Sequence, residues 1–170
     1  MFKNFKENFE KFIISFILFS IGFITLVSLI TYNKIDNSFF KYDSNIQESS
    51  NLFGIFGSYL SSFLIDIFGN ISFLIPVFFI FHFFSMLLGR LVTWYNWTLL
   101  PFLLIFSSLL AEFISQNYIS FSLDTGLLGI GLYNYLNYFL EEFWNPIIIL
   151  FVLLILTLSS IYFSLNIQVK

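Results

Sequence analysis

Four long apolar runs alternate with polar stretches along this chain. The runs cover residues 12–32, 70–88, 97–115 and 146–166, and about 20 apolar residues suffice to cross a bilayer as a helix. The polar stretches are a lead-in at 1–11, outer loops at 33–69 and 116–145, and a short end at 167–170. The pattern predicts an all-α membrane protein, with four transmembrane helices in a membrane domain at 12–166 and two amphipathic or re-entrant helices in the outer loops.

The first outer loop contains an apolar segment interrupted by small residues. Four-residue spacing of small side chains lets helices approach closely in a membrane, and the positions with this spacing are Gly54, Ser58 and Ser62, with Gly57 and Ser61 beside them. We expect a close-packing surface here, within one subunit or between subunits. The segment is interpreted as an interfacial or re-entrant helix with Asp66 near its end and Gly69 stopping it. The alternative is the first half of one long kinked span.

The second outer loop repeats this order. Gly126-x-x-Gly129 leads to Pro146 just inside the fourth run, as Gly54-x-x-Gly57 leads to Pro76 near the start of the second run. The apolar residues between Gly129 and Pro146 share one helical face: Leu132, Leu136, Phe139, Leu140 and Phe143. Glu141 and Glu142 mostly point away from that face. The chain is therefore predicted to contain two copies of span, outer helix and span.

Composition supports the membrane assignment and excludes several function classes. The chain is 58% hydrophobic and only 10% charged, whereas soluble domains carry about 25% charged residues. It has no cysteine and one histidine, so thiolate chemistry and a metal site are not expected. Net charge is −3 with no basic run, which disfavours direct nucleic-acid binding. We expect no enzyme activity in this chain and no cofactor.

Basic residues predict the orientation in the membrane. With a cytoplasmic N-terminus, the cytoplasmic side carries Lys3, Lys6, Lys11, Arg90 and Lys170, and the outer side only Lys34 and Lys41. Cytoplasmic loops are enriched in Lys and Arg. Both termini are therefore predicted to be cytoplasmic. The lead-in at 1–11 is either a short amphipathic helix on the membrane surface or a solvated start of the first span.

Three ionisable residues leave room for a different function. His82 lies in the middle of the second run, Glu112 lies near the far end of the third, where we expect it to reach the interface, and Asp66 lies in the outer loop. An ionisable residue inside a membrane is a candidate for function. A small multi-pass permease or transporter subunit is therefore the alternative hypothesis.

One combination of residues resembles a known family. Asp36-x-Ser38, Asn51-Leu52-x-Gly54-x-x-Gly57, Phe68-Gly69 and Pro76 follow the first span, and Gly126 and Gly129 precede the fourth. This order is similar to the N-terminal four-span membrane domain of the FtsK/SpoIIIE bacterial DNA translocases. Two positions depart from the family pattern, because Thr125 replaces the first of a doubled glycine and Asp66 comes later than the usual acid.

The resemblance implies an inner-membrane anchor at the division septum. It implies tethering of a DNA-translocating motor, coupling of chromosome segregation to cell division, contacts with other division proteins and lipid, and assembly as a homo-oligomer, a hexamer in this family. The phosphate-binding pattern G-x-x-x-x-G-K-[ST] of the family's motor does not occur in the sequence. We therefore expect a membrane-domain fragment, the product of a split gene or a truncated sequence.

Overall fold

A computed structural model describes residues 2–44, 48–90, 93–118, 123–140 and 145–165. Its helices are α1 (Phe2–Ile30), α2 (Gly54–Phe68), α3 (Leu74–Leu87), α4 (Trp94–Asn117), α5 (Gly126–Leu140) and α6 (Pro146–Ser164), with a 3-10 helix at Gly69–Phe73. Every regular element in these ranges is helical. The predicted all-α class is confirmed. The predicted roles of Glu141, Glu142, Phe143 and residues 167–170 fall outside the described residues.

Among the described residues, four helical stretches are long and apolar enough to cross a membrane, which confirms the predicted number. They are Phe9–Ile30, Gly54–Leu87, Trp94–Asn117 and Pro146–Ser164. The second stretch has 34 residues and would measure about 51 Å as a straight helix, whereas the hydrocarbon core is about 30 Å thick. Gly69 interrupts it with φ +57°, a value that ends an α-helix. The outer helix α2 is thus separated from α3.

The helix bounds differ from the apolar runs at several ends. α1 is continuous from Phe2 to Ile30, so the polar lead-in joins the first span without a break. α4 begins at Trp94 and contains Pro101. Proline has no backbone N–H, so one hydrogen bond to a carbonyl of the preceding turn is missing there. Because the helix begins at Trp94, residues 94–96 form the first turn of α4 rather than a connecting loop.

The described chain divides into two compact units. The first contains Met1–Ser62 and Phe73–Trp94, and α1 packs against α3 within it. Gly22 makes this contact close, because a Cβ there would lie 3.0 Å from side-chain atoms of both Phe79 and Ile80. The rings of Phe19 and Phe83 meet across the same contact at a tilt of 45°, with centroids 4.9 Å apart. Gly22 therefore allows α1 and α3 to approach closely, as small residues do between helices in membranes.

The second unit contains Phe63–Ser72 and Tyr95–Lys170. Its apolar core joins α4 and α6 through Leu109, Phe113 and Leu153, and Leu132 and Leu136 of α5 pack against this core. Asn96 at the start of α4 donates its side-chain N–H to the carbonyl of Phe163 near the end of α6, at 2.8 Å. α4 and α6 are therefore antiparallel, with α5 covering one end of the pair.

Candidate functional site

The carboxylate of Asp36 organises the connection between α1 and α2. It accepts hydrogen bonds from the hydroxyl of Ser49 at 2.9 Å, from the backbone N–H and hydroxyl of Ser50, and from the backbone N–H of Asn51 at 3.2 Å. The side chain is 4% exposed. A buried carboxylate needs such donors because loss of its hydration costs several kcal/mol. Asp36 therefore fixes the path of the chain into α2.

The environment of Asp36 favours its ionised form. Burial raises the pKa of the carboxyl, but hydrogen bonds from Ser50, Ser49 and Asn51 outweigh it and lower the pKa below its ordinary value. Hydrogen bonds that stabilise the charged form of an acid act in this direction. The charge of Asp36 is thus part of the folded loop.

Asn51 links this loop to α1 and to α2. Its side-chain amide donates to the carbonyl of Ser28 in α1 at 2.8 Å, and its side-chain oxygen accepts from the N–H of Phe53 at 3.1 Å. Its backbone carbonyl accepts from the N–H of Gly54 at 2.8 Å. A Cβ at Gly57 would collide with the Asn51 amide oxygen and lie 2.8 Å from Cβ of Phe53. Gly57 is therefore required by a side chain of its own loop.

The serines of α2 face the preceding loop. Ser58 donates its hydroxyl to the carbonyl of Asn37, and the hydroxyl of Ser62 accepts from the N–H of Phe39 at 3.1 Å. Ser61 is fully buried and donates to the carbonyl of Ser58 at 3.2 Å. The small residues predicted as a close-packing surface thus contact their own chain at Gly57, Ser58 and Ser62.

Two stretches of backbone meet at Gly69 and Gly126. The N–H of Asn70 donates to the carbonyl of Asp124 at 2.7 Å. A Cβ at Gly69 would collide with the same carbonyl, and a Cβ at Gly126 would lie 2.5 Å from the nitrogen of Gly69 and collide with the carbonyl of Ile67. The atoms opposite each glycine belong to the backbone, so no rotation of a side chain could make room for a Cβ. Only glycine at both positions permits this approach.

A buried carboxylate holds the start of α5. Thr125 donates its hydroxyl to Glu112 of α4, and the side-chain N–H of Gln116 donates to the other carboxyl oxygen at 2.7 Å. Glu112 is 5% exposed, so it is buried within this unit, and its expected position near the membrane interface stays a prediction. Its partner Thr125 is also buried, and a Cβ at Gly129 would lie 2.7 Å from the Cβ of Thr125. The position of Thr125 immediately before the helix was the signal for this role.

The starts of the two outer helices share a backbone conformation. Gly54 begins α2 with φ +59°, and Gly126 begins α5 with φ +66°. In each helix the second glycine donates its N–H at 3.3 Å to the residue before the first, Gly57 to Phe53 and Gly129 to Thr125. α2 and α5 both have 15 residues. These features support the predicted repetition of span, outer helix and span.

The remaining predicted positions lie on the helices that follow. Pro76 is buried in the first turn of α3, where proline is tolerated. Pro146 is the first residue of α6, and Asn145 caps that helix by accepting the N–H of Ile147 at 2.9 Å. Asp66 is half-buried in the last turn of α2.

The central polar residue of α3 is engaged within its own helix. His82 is 1% exposed, its Nδ1 lies 2.9 Å from the carbonyl of Phe78, and the Phe78 ring lies with its centroid 4.1 Å from that of the imidazole. Within the described ranges no group of three or more His, Cys, Asp or Glu side chains could hold a metal ion. The contacts of Asn51 and of Glu112 fix the starts of α2 and α5.

The chain is similar in sequence to a family of known proteins. A family model described as the 4TM region of DNA translocase FtsK/SpoIIIE matches residues 7–169. DNA translocase FtsK of Rickettsia prowazekii is 32% identical over 155 residues, which are 87% of this chain and 20% of that protein. DNA translocase FtsK of Rickettsia typhi is 44% identical over 63 residues, 37% of this chain and 8% of that protein. No solved structure matches.

The chain is a multi-pass α-helical membrane domain in which the starts of α2 and α5 are fixed by glycine and by buried polar side chains. It belongs to the family of the four-transmembrane region of the DNA translocases FtsK and SpoIIIE. The chain spans only part of the length of these curated relatives, 20% of the protein from Rickettsia prowazekii and 8% of the protein from Rickettsia typhi.

Alanine substitution at the two helix-starting glycines should separate backbone strain from steric collision. Gly54→Ala meets open space, since no atom lies within 4 Å of its Cβ, and should cost about 1–2 kcal/mol for a left-handed alanine. Gly126→Ala has the same strain and also collides with backbone, which adds about 1–3 kcal/mol. Thermal unfolding in detergent should show a larger loss for Gly126→Ala; equal losses would contradict the close approach.

Removing the charge of Asp36 should destabilise the first unit. Asp36→Asn replaces an acceptor by an amide N–H that faces other donors, and should cost about 1–3 kcal/mol at neutral pH. Glu48→Gln, at an exposed position of the same loop, is the matched control and should change stability little. Thermal unfolding in detergent, followed by circular dichroism, measures both.

The effect of Asp36→Asn should depend on pH in one direction. Because the folded pKa is lowered, the stabilisation by the wild-type carboxylate is complete above the unfolded value of about 3.9 and is lost as pH falls through the folded pKa. The difference in melting temperature between wild type and Asp36→Asn should therefore be constant near neutral pH and shrink below about pH 4. A difference that grows on acidification would contradict the assigned role.

Proposed function

We propose that this chain is the membrane anchor of a DNA translocase, which tethers the motor to the division septum and couples chromosome segregation to cell division. The observation that carries the proposal is the family match over residues 7–169. The relatives that match are named DNA translocase FtsK. In this proposal the membrane domain supplies attachment and assembly, and the DNA-translocating activity belongs to a motor.

The proposed orientation has both termini in the cytoplasm and the connections α1–α2 and α4–α6 on the outer side. The basic residues support it, because Lys11 and Arg90 lie on the cytoplasmic side with the charged N-terminus, against Lys34 and Lys41 outside. Attachment to a cytoplasmic motor requires this orientation. The outer helices α2 and α5 would then be presented on the side away from the DNA.

The proposed assembly is a homo-oligomer with lipid and other division proteins as partners, and it needs surfaces that the chain's own packing leaves available. Gly57 and Ser58 contact their own loop. We therefore assign assembly to outward residues of the helices, and assign to Gly54, Gly57, Gly69, Gly126 and Gly129 the shaping of the outer helices.

The permease hypothesis receives less support. Glu112 binds Thr125 and Gln116 within one unit, and the Nδ1 atom of His82 lies against a carbonyl of its own helix. These contacts assign helix-positioning roles to two of the three residues that suggested a polar path. The family match adds nothing in its favour.

The DNA that follows the codon for Lys170 distinguishes the two functions. An in-frame linker followed by G-x-x-x-x-G-K-[ST] is the expected result, since that loop cradles the phosphates of a nucleotide. A stop codon followed by a transporter gene would instead favour the permease. Sequencing across this junction in the source genome is sufficient.

Septal recruitment provides the functional test in cells. Gly57→Leu should displace Asn51 and the loop at the start of α2, and should reduce the fraction of dividing cells in which a fluorescent fusion concentrates at the septum. Gly131→Leu is the matched control, because Gly131 lies exposed on α5 with no atom within 4 Å of its Cβ. Membrane insertion should be unchanged in both variants. Normal septal fluorescence with Gly57→Leu would count against the proposal.

A further inference from the structure

A short turn at Ser38–Lys41 presents two phenylalanines at its tip. The N–H of Ser38 donates to the carbonyl of Lys41 at 2.7 Å, and the N–H of Lys41 donates to the hydroxyl of Ser38 at 3.1 Å. Between them, Phe39 is 60% exposed and Phe40 is 57% exposed. Their rings meet edge to face with centroids 5.2 Å apart. Two large apolar side chains are thus held together at the end of a closed turn.

The side chain of Asn37 stabilises the turn by hydrogen bonds to the backbone of Asp43. The side chain of Asn37 donates to the carbonyl of Asp43 at 3.1 Å and accepts from the N–H of Asp43 at 2.6 Å. It therefore links the segment that enters the turn to the segment that leaves it. The carbonyl of Asn37 in turn accepts from the hydroxyl of Ser58. The backbone at the turn is therefore fixed on both sides of the phenylalanines.

The turn is also attached to α2. The N–H of Phe39 itself donates to the hydroxyl of Ser62 at 3.1 Å, which lies in the middle of α2. Because α2 begins the apolar stretch Gly54–Leu87, with mean hydropathy 2.1, this hydrogen bond places the backbone of the turn beside a helix of membrane-like composition. These hydrogen bonds also mean that little conformational freedom remains to be lost when the tip is bound.

The helix and the loop that hold the turn also expose apolar side chains. Ile55 and Phe56 of α2 are 64% and 66% exposed, and Ile35 in the same loop is 66% exposed. Lys41 follows the two phenylalanines and is itself exposed. Phenylalanine in the acyl region with lysine beside the phosphates is a combination found in segments that lie in the membrane interface.

We propose that the Ser38–Lys41 turn inserts Phe39 and Phe40 into the lipid bilayer at its interface, with Lys41 against the phosphates. The occupant is phospholipid because the turn is hydrogen-bonded to a helix that begins the apolar stretch Gly54–Leu87, and because Lys41 directly follows the two phenylalanines. Because the turn is hydrogen-bonded to α2, its insertion sets the depth of α2 in the membrane interface. This proposal requires only that the chain spans a membrane, and stands apart from the translocase assignment.

Single-cysteine labelling measures the depth of the tip directly. The chain has no cysteine, so Phe40→Cys and Ser44→Cys each carry one environment-sensitive fluorophore without further substitution. Ser44 is exposed in the same loop beyond the turn and serves as the control. Both proteins are reconstituted into vesicles of phosphatidylcholine and phosphatidylglycerol, and fluorescence is quenched either by a nitroxide on the upper acyl chain or by iodide in the water.

Nitroxide lipid should quench the probe at position 40 several-fold more than the probe at 44, and iodide should show the reverse order. Equal quenching at the two positions would overturn the proposal, because the tip would then lie in water. Diluting the protein in lipid distinguishes the remaining occupant. Protection from iodide at position 40 that is lost on dilution would show a second copy of the chain covering the tip, and would also overturn the proposal.

Ser62→Ala tests whether the hydrogen bond from Phe39 to Ser62 positions the tip. The variant removes the acceptor for the N–H of Phe39, so nitroxide quenching at position 40 should fall while quenching at position 44 stays unchanged. Circular dichroism reports whether helix content is retained, so that loss of the fold is recognised separately. Unchanged quenching at position 40 in a folded Ser62→Ala protein would contradict the role of this hydrogen bond.

Discussion

The approach of two backbone segments at Gly69 and Gly126 is the constraint on which the second unit depends. The carbonyl of Asp124 accepts the N–H of Asn70 at 2.7 Å, and neither glycine leaves room for a Cβ. This single crossing ends α2 and begins α5. It explains why each glycine has positive φ, since the left-handed conformation turns the chain at the point of contact. In lipid such a turn must satisfy its own polar groups, and the hydrogen bond does so.

In the first unit, side chains rather than backbone contacts fix the start of the helix. Asp36 gathers the donors of Ser49, Ser50 and Asn51, and Asn51 ties the same loop to α1. The helix start at Gly54 is surrounded by open space, whereas the start at Gly126 is closed by backbone. Two outer helices with the same opening conformation are therefore held by different chemistry, one by a carboxylate and an amide, the other by main chain together with Glu112 and Thr125.

The sequence predicted the helical class, the four apolar spans and the break at Gly69 because these follow from hydrophobic periodicity and from glycine conformation, which are local. The partners of the small residues were not predictable in this way. The spacing of Gly57 and Ser58 suits contact between helices, yet the atoms that fill the space belong to Asn51 and Asn37. The donors to Asp36 lie well away in sequence. The contact of Glu112 with Thr125 was not predictable in this way either, because it crosses a turn that periodicity does not describe.

The lengths of the first and fourth spans have a consequence for their fit to the bilayer. α6 has 19 residues and would measure about 28 Å, whereas the apolar span Phe9–Ile30 of α1 has 22 residues and would measure about 33 Å. Both lengths are close to one hydrocarbon thickness, and a helix that exceeds the hydrocarbon core tilts or emerges from it. The apolar part of α1 can thus match the bilayer with a slight tilt, while the charged residues that precede it in the same helix continue into the headgroup region.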